Sequence, residues 1–266
     1  MTDRATILVT GGTGTLGRPT VALLRGEVGG SGDNGGRDVR VLSRRVGDGR
    51  LVGDLKTGAG LADALSGVDT VLHLATGSRP GDAETTRTLL EASHAAGVSH
   101  FVYISIVGID AIPVGYYRVK LECERMITAS PLPHTILRAT QFHDLIAKVF
   151  SAQRYSPVIV APSVRFQPIA VEEVAGRLVS LVDGGPAGRV DDIGGPEQLT
   201  GRALADAWKS VRGSRRPVWP LRLPGATFRA LASGKNMVDG EPYGIRTWGD
   251  FLASGGSALS RRAGRA

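Results

Sequence analysis

Two polar side chains in one stretch of the chain have the types and the spacing needed to move a proton. Tyr116 and Lys120 are four residues apart in "SIVGIDAIPVGYYRVKLECERM", so on a helix they share one face, one turn apart. A tyrosine with an ordinary pKa of about 10 is a poor acid at neutral pH, and a neighbouring ammonium group lowers that pKa. The pair therefore predicts general acid catalysis, with Ser105 upstream at the expected end of a strand. Tyr117, three residues before Lys120, is the alternative tyrosine.

A glycine loop near the start of the chain predicts a site for a dinucleotide. In "ILVTGGTGTLGRPTVALL" the glycines are Gly11, Gly14 and Gly17, between an apolar run that reads as a strand and a run with helical spacing. Three glycines let the backbone approach a pyrophosphate closely, and the start of a helix offers N–H groups and a positive dipole end to the anion. A tight turn alone is the alternative interpretation.

The end of the second predicted strand, "VRVLSRR", indicates which dinucleotide is bound. An NAD site favours a carboxylate at this position, whereas an NADP site needs cations for the 2′-phosphate. This chain offers Ser43, Arg44 and Arg45, with Arg18 after the third glycine as a possible helper. We therefore predict NADP (NADPH) as the cofactor. The alternative is that both arginines only face water.

Apolar runs that read as strands alternate with segments of helical spacing through the first half of the chain. This alternation predicts an α/β fold, a Rossmann-type doubly wound parallel sheet with a small C-terminal substrate-binding lobe. We predict a single NAD(P)-binding domain over 1–266, with 141–168 and 200–255 as substrate-lobe or lid segments. A helix is expected from Val171, with acids in its first turn, and another after Thr200.

Composition narrows the classes of function. The formal net charge of +7 is interpreted as a solvated, arginine-rich surface with no nucleic-acid partner, because the basic residues are scattered along the chain, most of them with acids nearby. One cysteine, Cys123, excludes a disulfide framework and is expected to be buried. No apolar run approaches the roughly 18 residues of a membrane span, and no room for a signal peptide is evident. We expect a cytoplasmic protein that does not use a membrane, and no metal, because the five histidines lack metal-ligand spacing.

Several motifs together resemble the atypical, NmrA-like branch of the short-chain dehydrogenase/reductase superfamily. They are "TGGTGTLGR", "VRVLSRR", "GDL", "HFVYISIVGID", "HTILRATQF" and "RFQPIAVEEVA", and the similarity runs from about Thr6 to Thr200. The resemblance implies a Rossmann fold, a nicotinamide cofactor and a catalytic set of Ser105, Tyr116 and Lys120. Ser105 would hold the substrate oxygen, Tyr116 would pass the proton, and Lys120 would also hold the nicotinamide ribose.

The same resemblance implies further contacts. Asp54 corresponds to an aspartate that contacts the adenine amine, and Ala75 with Thr76 corresponds to a segment that lines the cofactor. The remaining residues assigned to the cofactor are Thr13, Thr15, Leu16 and Leu55. The residues assigned to the substrate are Tyr117, Gln141, Phe142 and His143.

These observations predict an NADPH-dependent reductase of a small ketone- or quinone-like molecule. The alternative is an NmrA-like redox sensor or regulatory protein that binds the dinucleotide without turning it over. A nucleotide-sugar epimerase or dehydratase is a third possibility, which the short C-terminal third disfavours.

Overall fold

The computed structural model of the protein describes residues 5–28, 37–47, 49–75 and 81–255. The strands are β1 (Thr6–Thr10), β2 (Asp38–Ser43), β3 (Arg50–Val52), β4 (Thr70–His73), β5 (His100–Ile106), β6 (His134–Ala139), β7 (Ile159–Pro162), β8 (Arg165–Phe166), β9 (Gly188–Arg189), β10 (Leu199–Thr200) and β11 (Val218–Leu221). The helices are α1 (Gly17–Leu24), α2 (Leu61–Leu65), α3 (Asp82–Ala95), α4 (Gly115–Ala129), α5 (His143–Ala152), α6 (Val171–Gly184), α7 (Gly201–Val211), α8 (Ala226–Ala232) and α9 (Trp248–Ala253).

The first of two compact units carries the large sheet. It comprises Met1–Ser105, Gly115–Arg138 and Val174–Asp191. Its seven strands have the order β3-β2-β1-β4-β5-β6-β9, and strand pairs on both sides of β1 are parallel. The predicted parallel Rossmann-type sheet is therefore confirmed.

The apolar runs of the sequence form strands whose side chains are buried on both faces of the sheet. β1 is buried along its whole length, as parallel strands covered by helices on both sides must be. Side chains from the sheet, α2, α3 and α4 form one core, in which Leu8, Phe101 and Ile127 are fully buried. The strand order changes direction between β1 and β4, where Thr10 lies beside His73. In open α/β sheets, ligands bind at such a switch point, beyond the carboxyl ends of the strands.

The second unit comprises Ile106–Val114, Ala139–Glu173 and Asp192–Ala266. It contains two small sheets, the antiparallel pair β8–β10 and the parallel pair β7–β11. Its core joins α5, α7 and α9 through side chains that include Phe150, Trp208 and Trp248. The segments 141–168 and 200–255 lie in this unit, and their role as a substrate lobe stays a prediction, as does the single-domain description.

The helix starts expected from the sequence are present. Thr200 caps α7 by accepting a hydrogen bond from the backbone N–H of Ala203 at 3.1 Å. α6 begins at Val171 with Glu172 and Glu173 in its first turn, where carboxylates suit the helix dipole. Among the described residues, we find no helix with the length and hydropathy needed to span a membrane.

Candidate functional site

The glycine loop between β1 and α1 follows a path that side chains would block. Gly11 has φ of 71°, and a Cβ there would lie 2.5 Å from the backbone nitrogen of Ala75. A Cβ at Gly17 would clash with the carbonyl oxygen of Gly11. The loop closes through the N–H of Gly14, which donates to the Gly11 carbonyl at 2.9 Å. α1 then begins without a side-chain cap or an acid in its first turn. This helix start is suited to an anion.

Polar contacts tie the end of β1 to the end of β4 below this loop. The N–H of Ala75 donates to Thr10 Oγ1 at 3.3 Å, and Thr10 Oγ1 lies 2.7 Å from His73 Nδ1. The other ring nitrogen of His73 lies 3.2 Å from Thr86 Oγ1, and the Thr86 hydroxyl donates to the Asp82 carbonyl at 2.8 Å. Thr10 therefore donates to a neutral His73, which in turn donates to Thr86. This chain of hydrogen bonds connects the glycine loop to α3.

Two exposed cations follow β2, where the sequence predicts the 2′-phosphate site. Ser43 Oγ accepts a hydrogen bond from the backbone N–H of Arg45 at 3.1 Å, which turns the chain after the strand. Arg44 and Arg45 are exposed, and neither forms an ion pair within the part of the chain that the structure describes. Both guanidinium groups are thus available to an anion.

The other described residues assigned to the cofactor lie in the same unit. The Asp54 carboxylate accepts the backbone N–H of Lys56 at 2.8 Å, and Leu55 packs partly against the core. Arg18 is exposed and donates from Nε to the carbonyl of Thr13 at 2.9 Å, so it braces the glycine loop. Thr15 and Leu16 belong to that loop, and Leu16 is buried. Thr76 lies outside the described residues.

Lys120 is buried on α4 and points at β5. It is 2% exposed, and its ammonium donates to the carbonyl of Ile104 at 2.8 Å. The same nitrogen lies 4.5 Å from the centre of the Tyr103 ring. Burial lowers the pKa of Lys120 to about 7, against smaller opposing effects of Cys123, Asp82 and Glu124. Burial therefore makes the charged form of Lys120 less stable than that of an exposed lysine.

The other members of the predicted catalytic set lie on β5 and at the start of α4. Ser105 is 3% exposed, and its hydroxyl has no hydrogen-bond partner among the described residues. Tyr116 is in the first turn of α4, one turn before Lys120, as the spacing predicts. Tyr116 and Tyr117 are both half-buried, and their ring centres are 6.3 Å apart. Tyr116 is also close enough to contribute to the raised pKa of Tyr103, after burial and Cys123 as the larger causes.

Sequence reasoning did not identify the residues that hold α4 against the sheet. Glu124, one turn beyond Lys120, accepts two hydrogen bonds from Arg138 on β6, at 2.9 and 2.7 Å. Both side chains are almost fully buried, so the pair fixes the position of α4 while each charge stays compensated. Cys123 is fully buried, as predicted, and lies 3.4 Å from Thr86 Oγ1. No sequence motif marks these contacts, because they join distant elements.

The residues assigned to the substrate after β6 belong to the second unit. The Gln141 amide donates to the Asn236 carbonyl at 3.2 Å, and Phe142 precedes α5. His143 is fully buried, with its ring centre 5.7 Å from that of Trp248 and 5.1 Å from that of Phe251. Burial, with a smaller effect of Arg246, lowers its pKa to about 4. A role for these residues in binding a substrate stays a prediction.

Three buried histidines predict a loss of stability in acid. Burial lowers the pKa of His73 to about 3 and that of His100 and His143 to about 4, from 6.5. Below pH 6.5 these histidines bind protons in the unfolded chain but stay neutral in the folded chain. The free energy of unfolding must therefore fall as pH drops from 6.5 towards 4. At about pH 5 each histidine contributes roughly 2 kcal/mol to this loss.

Urea unfolding of the wild type and of His100→Gln at pH 7 and in mild acid measures the effect. The variant should lose less stability on acidification than the wild type. His94→Gln, at an exposed position on α3, is the matched control and should lose as much as the wild type. Equal losses in all three proteins would contradict the prediction.

The first unit carries a donor set that fits a nicotinamide dinucleotide. A Cβ would not fit at Gly11 or Gly17, so at these two positions the loop before α1 presents only backbone atoms. Among the described residues the buried hydroxyl of Ser105 has no hydrogen-bond partner, and Arg44 and Arg45 form no ion pair. A phosphate group takes hydrogen bonds from backbone N–H groups and from guanidinium groups. Among the described residues, no cluster of His, Cys, Asp and Glu is suited to hold a metal.

Comparison with known proteins agrees with this geometry. The profile of a family described as NAD(P)H-binding matches residues 11–183. Photosystem II assembly factor Ycf39 of Trieres chinensis is 30% identical over 271 residues, which cover 88% of this chain and 79% of the relative. NAD(P)H azoreductase of Xenophilus azovorans is 30% identical over 246 residues, covering 88% of this chain and 82% of the azoreductase.

A quinone reductase is similar in both sequence and structure. Quinone oxidoreductase 2 of Escherichia coli (strain K12) is 26% identical over 190 residues, which cover 68% of this chain and 64% of the relative. The crystal structure of the NADPH-dependent quinone oxidoreductase QOR2 from Escherichia coli gives a TM-score of 0.72 at 20% identity. The superposition covers 93% of this chain and 98% of that chain, so the two share their fold.

Proposed function

The chain belongs to the NAD(P)H-binding family, and on that premise we propose that it is an NADPH-dependent reductase of a small ketone- or quinone-like molecule. The resemblance to atypical short-chain dehydrogenases/reductases is confirmed, and the protein is an NAD(P)H-dependent oxidoreductase. The names of quinone oxidoreductase 2 and of the azoreductase refer to quinones and azo compounds, which are both conjugated molecules that accept electrons. That shared chemistry supports the substrate class.

One observation supports catalysis more than any other. Lys120 is buried beside the β5 carbonyl of Ile104, one helical turn from Tyr116. The hydroxyl of Ser105 on the same strand is buried and has no hydrogen-bond partner in the part of the chain that the structure describes. Burying an ammonium and an unsatisfied hydroxyl costs stability. Such a cost is typical of sites where the groups act on a ligand.

A bound nicotinamide cofactor would supply the hydride. In the proposed reaction the Ser105 hydroxyl donates a hydrogen bond to the carbonyl oxygen of the substrate and holds it in place. Tyr116 gives its phenolic proton to that oxygen as negative charge develops on it. The Lys120 ammonium stabilises the resulting tyrosinate. With a ketone, the carbonyl carbon gains the hydride and the oxygen gains the proton, so the product is an alcohol. With a quinone, the same step gives a hydroxydienone, whose ring carbon then loses a proton to solvent while the second oxygen gains one, which gives the hydroquinone.

A role without turnover is the second candidate. Ycf39, which is named as an assembly factor, is as similar to this chain as the azoreductase is. A protein of that kind would bind the dinucleotide and a partner protein, and Tyr116 would transfer no proton. The two candidates differ in whether bound NADPH is consumed.

Steady-state oxidation of NADPH by the purified protein tests the proposal. We expect oxidation with at least one member of a panel of naphthoquinones, benzoquinones, aryl ketones and azo dyes, at a rate that saturates with substrate. Binding of NADPH is measured in parallel, by quenching of protein fluorescence. Binding without oxidation across the whole panel would reject the reductase and favour the second candidate.

A further inference from the structure

The excess positive charge of the chain is concentrated in one stretch. Residues 207–238 contain seven Lys and Arg residues and no Asp or Glu. The formal charge of this stretch is therefore +7, the same as the net charge of the whole chain. A second stretch, 145–171, contains Lys148, Arg154 and Arg165 and again no acid. Both stretches belong to the second unit. The interpretation that the basic residues are scattered, most of them with acids nearby, therefore does not hold for these two stretches.

The structure brings these two stretches together at one corner. Arg216 donates from Nη1 to the carbonyl oxygens of Gln153 and Ser156, at 2.6 and 3.1 Å. Arg212 and Arg216 both lie over the ring of buried Trp208, at 5.0 and 6.0 Å from its centre. β11 then runs beside β7, with Trp219 opposite Val160. We name this surface the basic corner, and its residues are Arg154, Tyr155, Arg212, Arg215, Arg216 and Trp219.

The basic corner combines cations with exposed apolar side chains. Arg154, Arg212 and Arg215 are exposed, and none of the corner arginines forms an ion pair with any described residue. Tyr155 is 83% exposed and Trp219 is 64% exposed. Val211 and Leu223, on either side of the corner in sequence, are more than half exposed, and α8 beyond them buries no side chain. Exposed apolar side chains rimmed by polar groups mark surfaces that bind a protein or a membrane.

We propose that the basic corner docks on the surface of an anionic lipid bilayer. Arginines next to exposed tryptophan, tyrosine and aliphatic side chains are typical of surfaces that lie in the interface of such a bilayer. Guanidinium groups bind lipid phosphates, while Tyr155 and Trp219 enter the region between the headgroups and the acyl chains. Single-stranded nucleic acid would use the aromatic rings for stacking but has no use for Val211 and Leu223. The docking surface does not depend on the proposed reductase activity.

Co-sedimentation with vesicles tests the docking without cofactor or substrate. The wild type should bind vesicles of phosphatidylcholine mixed with phosphatidylglycerol and should not bind vesicles of phosphatidylcholine alone. Each cation near an anionic surface is expected to strengthen binding roughly fivefold. The corner variant Arg154→Gln/Arg212→Gln/Arg215→Gln should therefore bind roughly a hundredfold more weakly. Arg87→Gln/Arg118→Gln/Arg125→Gln removes the same charge from exposed positions on α3 and α4 and should bind as the wild type does.

Tryptophan fluorescence reports whether the corner itself touches lipid. The chain has three tryptophans, of which Trp208 and Trp248 are buried and Trp219 is exposed. Anionic vesicles should shift the emission to shorter wavelength and protect it from acrylamide, and Trp219→Phe should abolish both changes. Circular dichroism confirms that each variant is folded.

Three results would overturn the proposal. The first is equal binding of the wild type to anionic and neutral vesicles, or no binding to either. The second is equal binding by the corner variant and its control. The third is tighter binding, at the same salt concentration, to a single-stranded oligonucleotide or to polyglutamate than to the anionic vesicles, which would assign the surface to a nucleic acid or an acidic protein.

Discussion

Tyr116→Phe is expected to lower kcat for NADPH-dependent reduction by roughly two to four orders of magnitude, the usual contribution of a positioned general acid. The substitution removes one hydroxyl from a half-buried ring in the first turn of α4 and leaves the helix intact. Binding of NADPH should change little, because the phenol acts on the substrate oxygen. Steady-state kinetics and a fluorescence titration of NADPH measure the two effects separately.

Tyr117→Phe is the matched control, because it removes the same hydroxyl from the neighbouring residue. It should retain most of the activity, since the proposed mechanism assigns the proton transfer to Tyr116, one helical turn before Lys120. If the control lost as much activity as Tyr116→Phe, or lost it instead, the role assigned to Tyr116 would pass to Tyr117. Full activity in both variants would remove tyrosine from the mechanism.

The second large effect concerns the choice of cofactor. Arg44→Ala/Arg45→Ala should weaken NADPH binding by about two orders of magnitude or more, because two charge-assisted contacts of roughly 1.5–3 kcal/mol each are lost. Binding of NADH should barely change, since it lacks the 2′-phosphate. The loss in the double variant can be smaller than the sum of the single losses, because the two cations act on one group. Titration of both cofactors against each protein measures the difference.

Two controls separate a specific contact from a general effect of charge. Arg118→Ala/Arg125→Ala removes two exposed cations from α4 and should leave the ratio of the two affinities unchanged. Added salt should weaken NADPH binding more than NADH binding in the wild type, because the additional phosphate is screened. A wild type that prefers NADH, or equal losses for both cofactors, would show that Arg44 and Arg45 only face water.

Local patterns predicted much of the first unit. The strand, glycine loop and helix from Thr6 to Leu24 follow from apolar spacing and from the turn that Gly11 requires. Tyr116 and Lys120 are four residues apart, so any helix that contains both places them on one face, and α4 contains both. Such features are predictable because each depends on residues within a few positions along the chain.

Contacts between distant elements could not be predicted. Thr10 and His73 are 63 residues apart and meet only because β1 and β4 are neighbours in the sheet. The burial that lowers the pKa of Lys120 to about 7 arises from packing against β5, which no pattern on α4 reveals. The pair of Glu124 and Arg138 likewise needs the register of α4 against β6.

The basic corner shows a different limit. The absence of acids between 207 and 238 is visible in the sequence, but composition over the whole chain conceals it. The structure is needed to show that Arg154 and Arg212 lie at the same corner. Arg216, close to Arg212 in the chain, donates a hydrogen bond to the carbonyl of Gln153, the residue before Arg154. A count of charge in windows along the chain would have indicated the stretch, though not the surface.

A single-turnover experiment tests the central claim most directly. The complex of the protein with NADPH is mixed with excess quinone, and the nicotinamide absorbance is followed in time. We predict that the bound NADPH is oxidised completely, in one exponential phase that Tyr116→Phe slows by roughly two orders of magnitude or more. Bound NADPH that stays reduced in the wild type, or that is oxidised equally fast in Tyr116→Phe, would contradict a reductase that works through Tyr116.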